Sequence, residues 1–168
     1  ELPWNKNPFI HWFIRRYGVD MSEAADPEPE HYPSFNAFFT RALRGGVRPI
    51  DTAPNSVVSP ADGVISQIGA IEGDRIFQAK GQTYTTLELL GGDAELAAQF
   101  ADADFATIYL SPRDYHRVHV PREGTVARYA YLPGALWPVF PAATKRIEAL
   151  FARIRDTPPG FVRAYGDV

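Results

Sequence analysis

The chain holds four histidines, and two of them stand three residues apart in Tyr115-His116-Arg117-Val118-His119-Val120-Pro121. Imidazole is the side chain best suited to moving protons near neutral pH. The pair lies between a turn at Ser111-Pro112 and a proline stop at Pro121. Two other readings stand beside proton transfer. His116 and His119 are surface residues of a strand, or they are a metal pair. The metal pair lacks support, because the chain has no Cys and no third His nearby to complete a site. On a strand the odd spacing sends the two rings to opposite faces; on a turn both can face one cleft. The sequence leaves that choice open.

Asp62 is the acid best placed to serve one of these histidines. It lies in the turn Ser59-Pro60-Ala61-Asp62-Gly63, between apolar stretches. A carboxylate that fixes one imidazole tautomer is half of a Ser-His-Asp arrangement. The plainer alternative is an Asp-Gly turn residue with no chemistry. Lys80, one of three lysines, is capable of a Schiff base but has no pyridoxal signature around it.

The bulk numbers bound what can position these groups. A chain of 168 residues fits one domain with a real core, and 45% hydrophobic content argues against disorder. A net charge of −3 gives no basic footprint for nucleic acid. No apolar run reaches the roughly 18 residues that a membrane span needs. Without Cys there is neither a disulfide nor a thiol nucleophile. No signal-peptide pattern stands at the start, and opening on Glu1 in place of Met leaves a fragment or a lost leader open.

Trp4 to Tyr17 is aromatic and basic, with Phe9, Trp12, Phe13 and Arg16 at helical spacing. That composition suits either a membrane headgroup zone or packing on its own domain. Asp26-Pro27-Glu28-Pro29-Glu30 reads as a linker. Ser34 reads as the N-cap of a helix from Phe35 to about Leu43, buried through Phe35, Phe38, Phe39 and Ala42 and ended by Gly45-Gly46. From Val57 the pattern becomes strand-like, with strands expected at Val64–Gly69, Ile76–Gly81, Phe105–Leu110 and Val126–Leu132. Short helices are expected at Leu87–Leu90, Ala94–Phe100 and Thr144–Arg153. The fold class is α+β: N-terminal amphipathic helices, then a mostly antiparallel β core with short helices. The expected divisions are residues 1–45, 46–153 and a divergent tail 154–168.

Several segments together resemble phosphatidylserine decarboxylase of the bacterial, membrane-associated type. They are Phe35-Asn36-Ala37-Phe38-Phe39-Thr40-Arg41, Arg48-Pro49-Ile50, Ser59-Pro60-Ala61-Asp62-Gly63, Lys80-Gly81, and Tyr109-Leu110-Ser111-Pro112-Arg113-Asp114-Tyr115-His116-Arg117-Val118-His119. Leu132-Pro133-Gly134-Ala135-Leu136-Trp137-Pro138-Val139 and Leu150-Phe151-Ala152-Arg153 follow in order. The resemblance implies conversion of phosphatidylserine to phosphatidylethanolamine and CO2 through a Schiff base on a pyruvoyl group. It implies that the pyruvoyl arises by self-cleavage at a Gly-Ser bond, cut by an Asp-His-Ser triad. By motif position the Asp is Asp62 and the triad histidine is His119, with His116 serving the decarboxylation step. It further implies an anionic membrane surface as partner, peripheral attachment at the cytoplasmic side of the inner membrane, a homodimer, and no metal or nucleic acid.

One departure qualifies this. None of the six serines follows a glycine, so the Gly-Ser-Thr cleavage motif is absent, and Arg153 is followed by Ile154-Arg155-Asp156 where the family has Asn-Glu-Arg. The chain therefore reads as C-terminally truncated, lacking the pyruvoyl precursor and needing the C-terminal α-subunit segment as a partner. It is expected to be inactive and poorly soluble alone. A non-catalytic lipid-surface pseudoenzyme is the alternative, and a carrier domain resting on the Pro-Ala-Asp-Gly turn is the weakest.

Overall fold

The computed structural model describes residues 3–78 and 82–125. The strand expected at Val126–Leu132, the helix at Thr144–Arg153, the tail, and Lys80 lie outside the described residues. The architecture is α+β, with N-terminal helices preceding a β core. Two contact units are present: one holds 3–64 and 109–125, the other 65–108.

In the first unit, α1 spans Pro3–Tyr17 with Arg15 and Arg16 in its last turn, where cations meet the negative end of the helix dipole. Gly18 ends it at φ +68°, a left-handed position in which the Gly18 and Val19 amides both donate to the Ile14 carbonyl. The buried stripe differs from the expected one. Ile10 and Phe13 face inward, whereas Phe9 and Trp12 are 45% and 47% exposed. Ile10, Phe13, Val19 and Phe38 form the core, lined by Tyr17, Tyr32, Phe35 and Phe39.

The acidic Asp26–Glu30 stretch is not a loose linker. Lys6 donates to the Glu30 and Tyr32 carbonyls, and His11 pairs with the Glu30 carboxylate. The Tyr32 hydroxyl closes back on the Asp26 carbonyl at 2.6 Å. Ser34 caps α2 as expected, its side chain accepting from the Ala37 amide at 3.1 Å. Yet α2 runs only Phe35–Phe39. It stops at Thr40, because Arg41 turns inward and Ala24 forms a bridge with Leu43, so Gly45-Gly46 is not its terminator. Val57-Val58 forms no strand; Val58 instead donates to the Pro121 carbonyl at 3.0 Å.

In the second unit, β1 (Val64–Ala70) pairs with β4 (Asp104–Tyr109), and β2 (Arg75–Gln78) pairs antiparallel with β3 (Gln82–Thr85). Two short helices, α3 (Thr86–Leu89) and α4 (Ala94–Gln99), follow β3 where the sequence places them. Thr85 and Glu88 cap α3 reciprocally, and Asp93 caps α4. β1 presents Val64, Ile65 and Ile68 as exposed side chains.

Candidate active site

The three candidate residues all lie in the first unit. The histidine segment 115–120 is neither helix nor strand, which resolves the alternative left open by its spacing. A turn precedes it. Ser111 and Asp114 close this turn twice: the Asp114 amide donates to the Ser111 carbonyl at 2.9 Å, and the Ser111 amide to Asp114 Oδ2 at 2.6 Å.

His116 is half-buried. Its ring stacks on Phe39 with centroids 3.9 Å apart, and its Nε2 meets the Ser111 carbonyl at 2.9 Å. Burial holds its pKa below the ordinary 6.5, against the Ser111 hydrogen bond and the Asp114 charge, which act the other way. A histidine with a lowered folded pKa binds fewer protons than the unfolded chain as pH falls through 6.5. Its contribution to stability is therefore complete above 6.5 and is lost as pH drops through the folded value. The melting temperature is expected to fall between about pH 7 and pH 5, and His116→Gln should remove that part of the fall. Identical pH dependence in both proteins would contradict the assignment.

His119 is tied differently. Its amide donates to the Pro60 carbonyl at 2.8 Å, and its Nε2 shares a 2.9 Å hydrogen bond with the Tyr115 hydroxyl. The main chain thus brings the histidine segment alongside the turn that carries Asp62. The Asp62 carboxylate goes elsewhere. Both its oxygens accept from Arg48, whose Nε stands 3.1 and 2.9 Å away and whose Nη2 stands 2.7 Å away. The same guanidinium forks onto Glu23 at 3.1 and 2.9 Å. Hydrogen bonds to Glu23 and then Asp62 hold the Arg48 pKa above its ordinary value. Among the described residues the hydrogen-bonding partner of the Asp62 carboxylate is Arg48, while a histidine is the partner the sequence suggests.

Asp62 lines two cavities, of about 240 Å³ and about 490 Å³. The smaller is edged by Asp20, Glu23, Asp62 and Asp114 against Arg41, Arg48 and Arg113. Neither histidine is among the residues lining these two cavities. Arg41 is 4% exposed, bonds the Arg113 carbonyl through Nη2 at 3.2 Å, and lies 5.5 Å from the Phe38 ring centre. Its Nε and Nη1, and the Ser111 hydroxyl, are buried without a partner among the described residues. Three residues missed from the sequence alone thus organise the site: Arg48, Phe39 and Tyr115. The signal for Arg48 was its place in a matched motif; Phe39 read as core, and Tyr115 as a neighbour only.

The family model for phosphatidylserine decarboxylase matches residues 35–155, a stretch that includes Phe39, Arg48, Asp62 and both histidines. The chain belongs to the phosphatidylserine decarboxylase family. It is 58% identical over 153 residues to a phosphatidylserine decarboxylase proenzyme of Marinobacter nauticus, covering 91% of this chain and 54% of that protein. It is 57% identical to the proenzyme of Alkalilimnicola ehrlichii and 54% to that of Stutzerimonas stutzeri, again over 91% of this chain and 53% and 52% of theirs. The chain spans about half the length of the curated relatives it matches.

Proposed function

We propose that these residues form the histidine-bearing half of a phosphatidylserine decarboxylase that makes phosphatidylethanolamine and CO2. Family membership supports the activity. The observation that carries the site is the 2.8 Å bond from the His119 amide to the Pro60 carbonyl, which sets His119 beside the Asp62 turn. Asp62 and His119 serve the self-cleavage that proenzymes of this type undergo. His116 supplies the proton that replaces the departing carboxylate on the serine α-carbon, a general-acid task suited to a half-buried imidazole. The pyruvoyl group, the electron sink of such enzymes, is made from a serine that follows a glycine. None of the six serines here does, so the residues present do not provide it.

The test is a chimera in which residues 1–153 replace the matching part of the Marinobacter nauticus proenzyme. The chimera is expected to split into two chains on a gel and to release CO2 from phosphatidylserine. A chimera with a cooperative thermal transition that does neither would sink the proposal. A polypeptide of the 168 residues alone is expected to release no CO2; measurable release would overturn the proposed dependence on the other half.

A membrane surface is the proposed partner. Among the described residues no helix is long and apolar enough to cross a bilayer. Phe9 and Trp12 are exposed on the helix whose last turn carries Arg15 and Arg16, a pattern suited to an anionic interface. The same observation favours the second reading, lipid binding without catalysis. Sedimentation of the chimera with anionic vesicles is expected to fall severalfold in a Phe9→Ser, Trp12→Ser double variant. Unchanged sedimentation would remove the helix from both readings, and binding without CO2 release would favour the second.

A further inference from the structure

The decarboxylase reading gives His116 a proton to move without saying which nitrogen moves it or what holds the ring. Three consecutive residues at the end of α2 bear on both. Phe39 stacks on the imidazole at 3.9 Å with 25° between planes. The Thr40 carbonyl accepts from Arg117 Nε at 2.7 Å. Arg41 Nη2 donates to the Arg113 carbonyl at 3.2 Å. The contacts fall on the histidine itself, on the residue after it, and on the turn before it.

That turn determines the ring's tautomer. The Ser111 carbonyl accepts from both the Asp114 amide and His116 Nε2, each at 2.9 Å. A carbonyl only accepts, so Nε2 carries the hydrogen and Nδ1 keeps the lone pair. Nδ1 has no partner among the described residues. Arg41, nearly all buried and with two nitrogens unpartnered among the described residues, occupies a costly position for a cation. Its one side-chain hydrogen bond among the described residues goes to the turn that aims Ser111.

We propose that Phe39 and Arg41 are positioning residues that fix His116 as its Nε2–H tautomer, with Nδ1 as the atom that gives and takes the proton. Phe39 acts through the ring face, blocking rotation and shielding one side from water. Arg41 acts through the turn, keeping the Ser111 carbonyl on Nε2. The kinetic part of this inference rests on the decarboxylase reading; the tautomer part does not.

The experiment uses the chimera labelled with ¹⁵N-histidine, with His116 assigned by comparison with His116→Gln. Long-range ¹H–¹⁵N correlations above its titration are expected to show the Nε2–H pattern. Phe39→Leu should mix the tautomers and Phe39→Tyr should restore them. In turnover, Phe39→Leu and Arg41→Met are expected to lower kcat about tenfold with KM little changed. The alkaline limb of the kcat–pH profile, where the proton-giving imidazolium is lost, should move up in Phe39→Leu, as water regains the ring, and return in Phe39→Tyr. An Nδ1–H tautomer in the parent would overturn the proposal without recourse to any variant. So would a Phe39→Leu chimera matching the parent in tautomer and alkaline limb. If the chimera does not decarboxylate at all, the decarboxylase reading fails, and the tautomer measurement still decides the positioning.

Discussion

Asp62→Asn in the chimera is expected to slow self-cleavage by about a thousandfold or more, the scale seen when the acid of a Ser-His-Asp arrangement loses its charge. His119→Ala should do the same. His116→Ala should leave two chains on the gel but cut CO2 release by about a hundredfold or more, since only the later proton transfer is lost. The contrast between the histidines is the informative outcome. An Asp62→Asn proenzyme that cleaves at the parent rate would remove Asp62 from the chemistry.

Arg48 sharpens this test. Its guanidinium makes two contacts to Asp62 Oδ2 and one to Oδ1, which leaves Oδ1 a lone pair to offer. Asp62 can therefore orient a histidine while remaining bonded to Arg48. In Arg48→Met the carboxylate stays and the fork goes. If this variant cleaves as slowly as Asp62→Asn, the lost fork, and not the lost charge, explains the defect.

The largest effect on stability is expected at Phe38. Its side chain is 0% exposed and packs on Phe13, Tyr32 and Phe35, with ring centres 6.0, 5.9 and 5.7 Å away. The Arg41 guanidinium lies over it as well. Phe38→Ala removes a fully buried ring and leaves a cavity, a loss of about 3–5 kcal/mol. The melting temperature of the chimera should fall by roughly 10 °C. Phe38→Leu, which keeps most of the volume, should lose much less. A loss below about 1 kcal/mol for Phe38→Ala would mean that the aromatic cluster collapses to fill the space.

Elements governed by their own residues were legible in the sequence. Alternation and a bounding turn located β1 and β4, Ser34 marked its helix start, and the short helices before β4 were found within a residue or two. β3 was missed because Gln82-Thr83-Tyr84-Thr85 has a single large apolar side chain, although Tyr84 is buried. Failures elsewhere came from distant partners. The helix expected to reach Leu43 stops at Phe39, and Arg41 is drawn to a carbonyl 72 residues away. The acidic proline stretch read as a linker because nothing local shows that Lys6 and His11 hold it. At the site, residue types marked His116, His119 and Asp62, while their hydrogen-bond partners came from the fold. No spacing rule connects Arg48 with a glutamate 25 residues before it and an aspartate 14 after it.

That last arrangement affects how the sequence can drift over evolutionary time. Arg48 serves Glu23 and Asp62 with a planar group whose nitrogens are divided between two acids. Lysine, a single point of charge, cannot reproduce two forks. While both acids remain, position 48 is confined to arginine. Loss of the glutamate relaxes that confinement, because one carboxylate is within an ammonium's reach. Loss of the arginine first strands two acids together. Change therefore has a preferred order, with Glu23 free to go before Arg48.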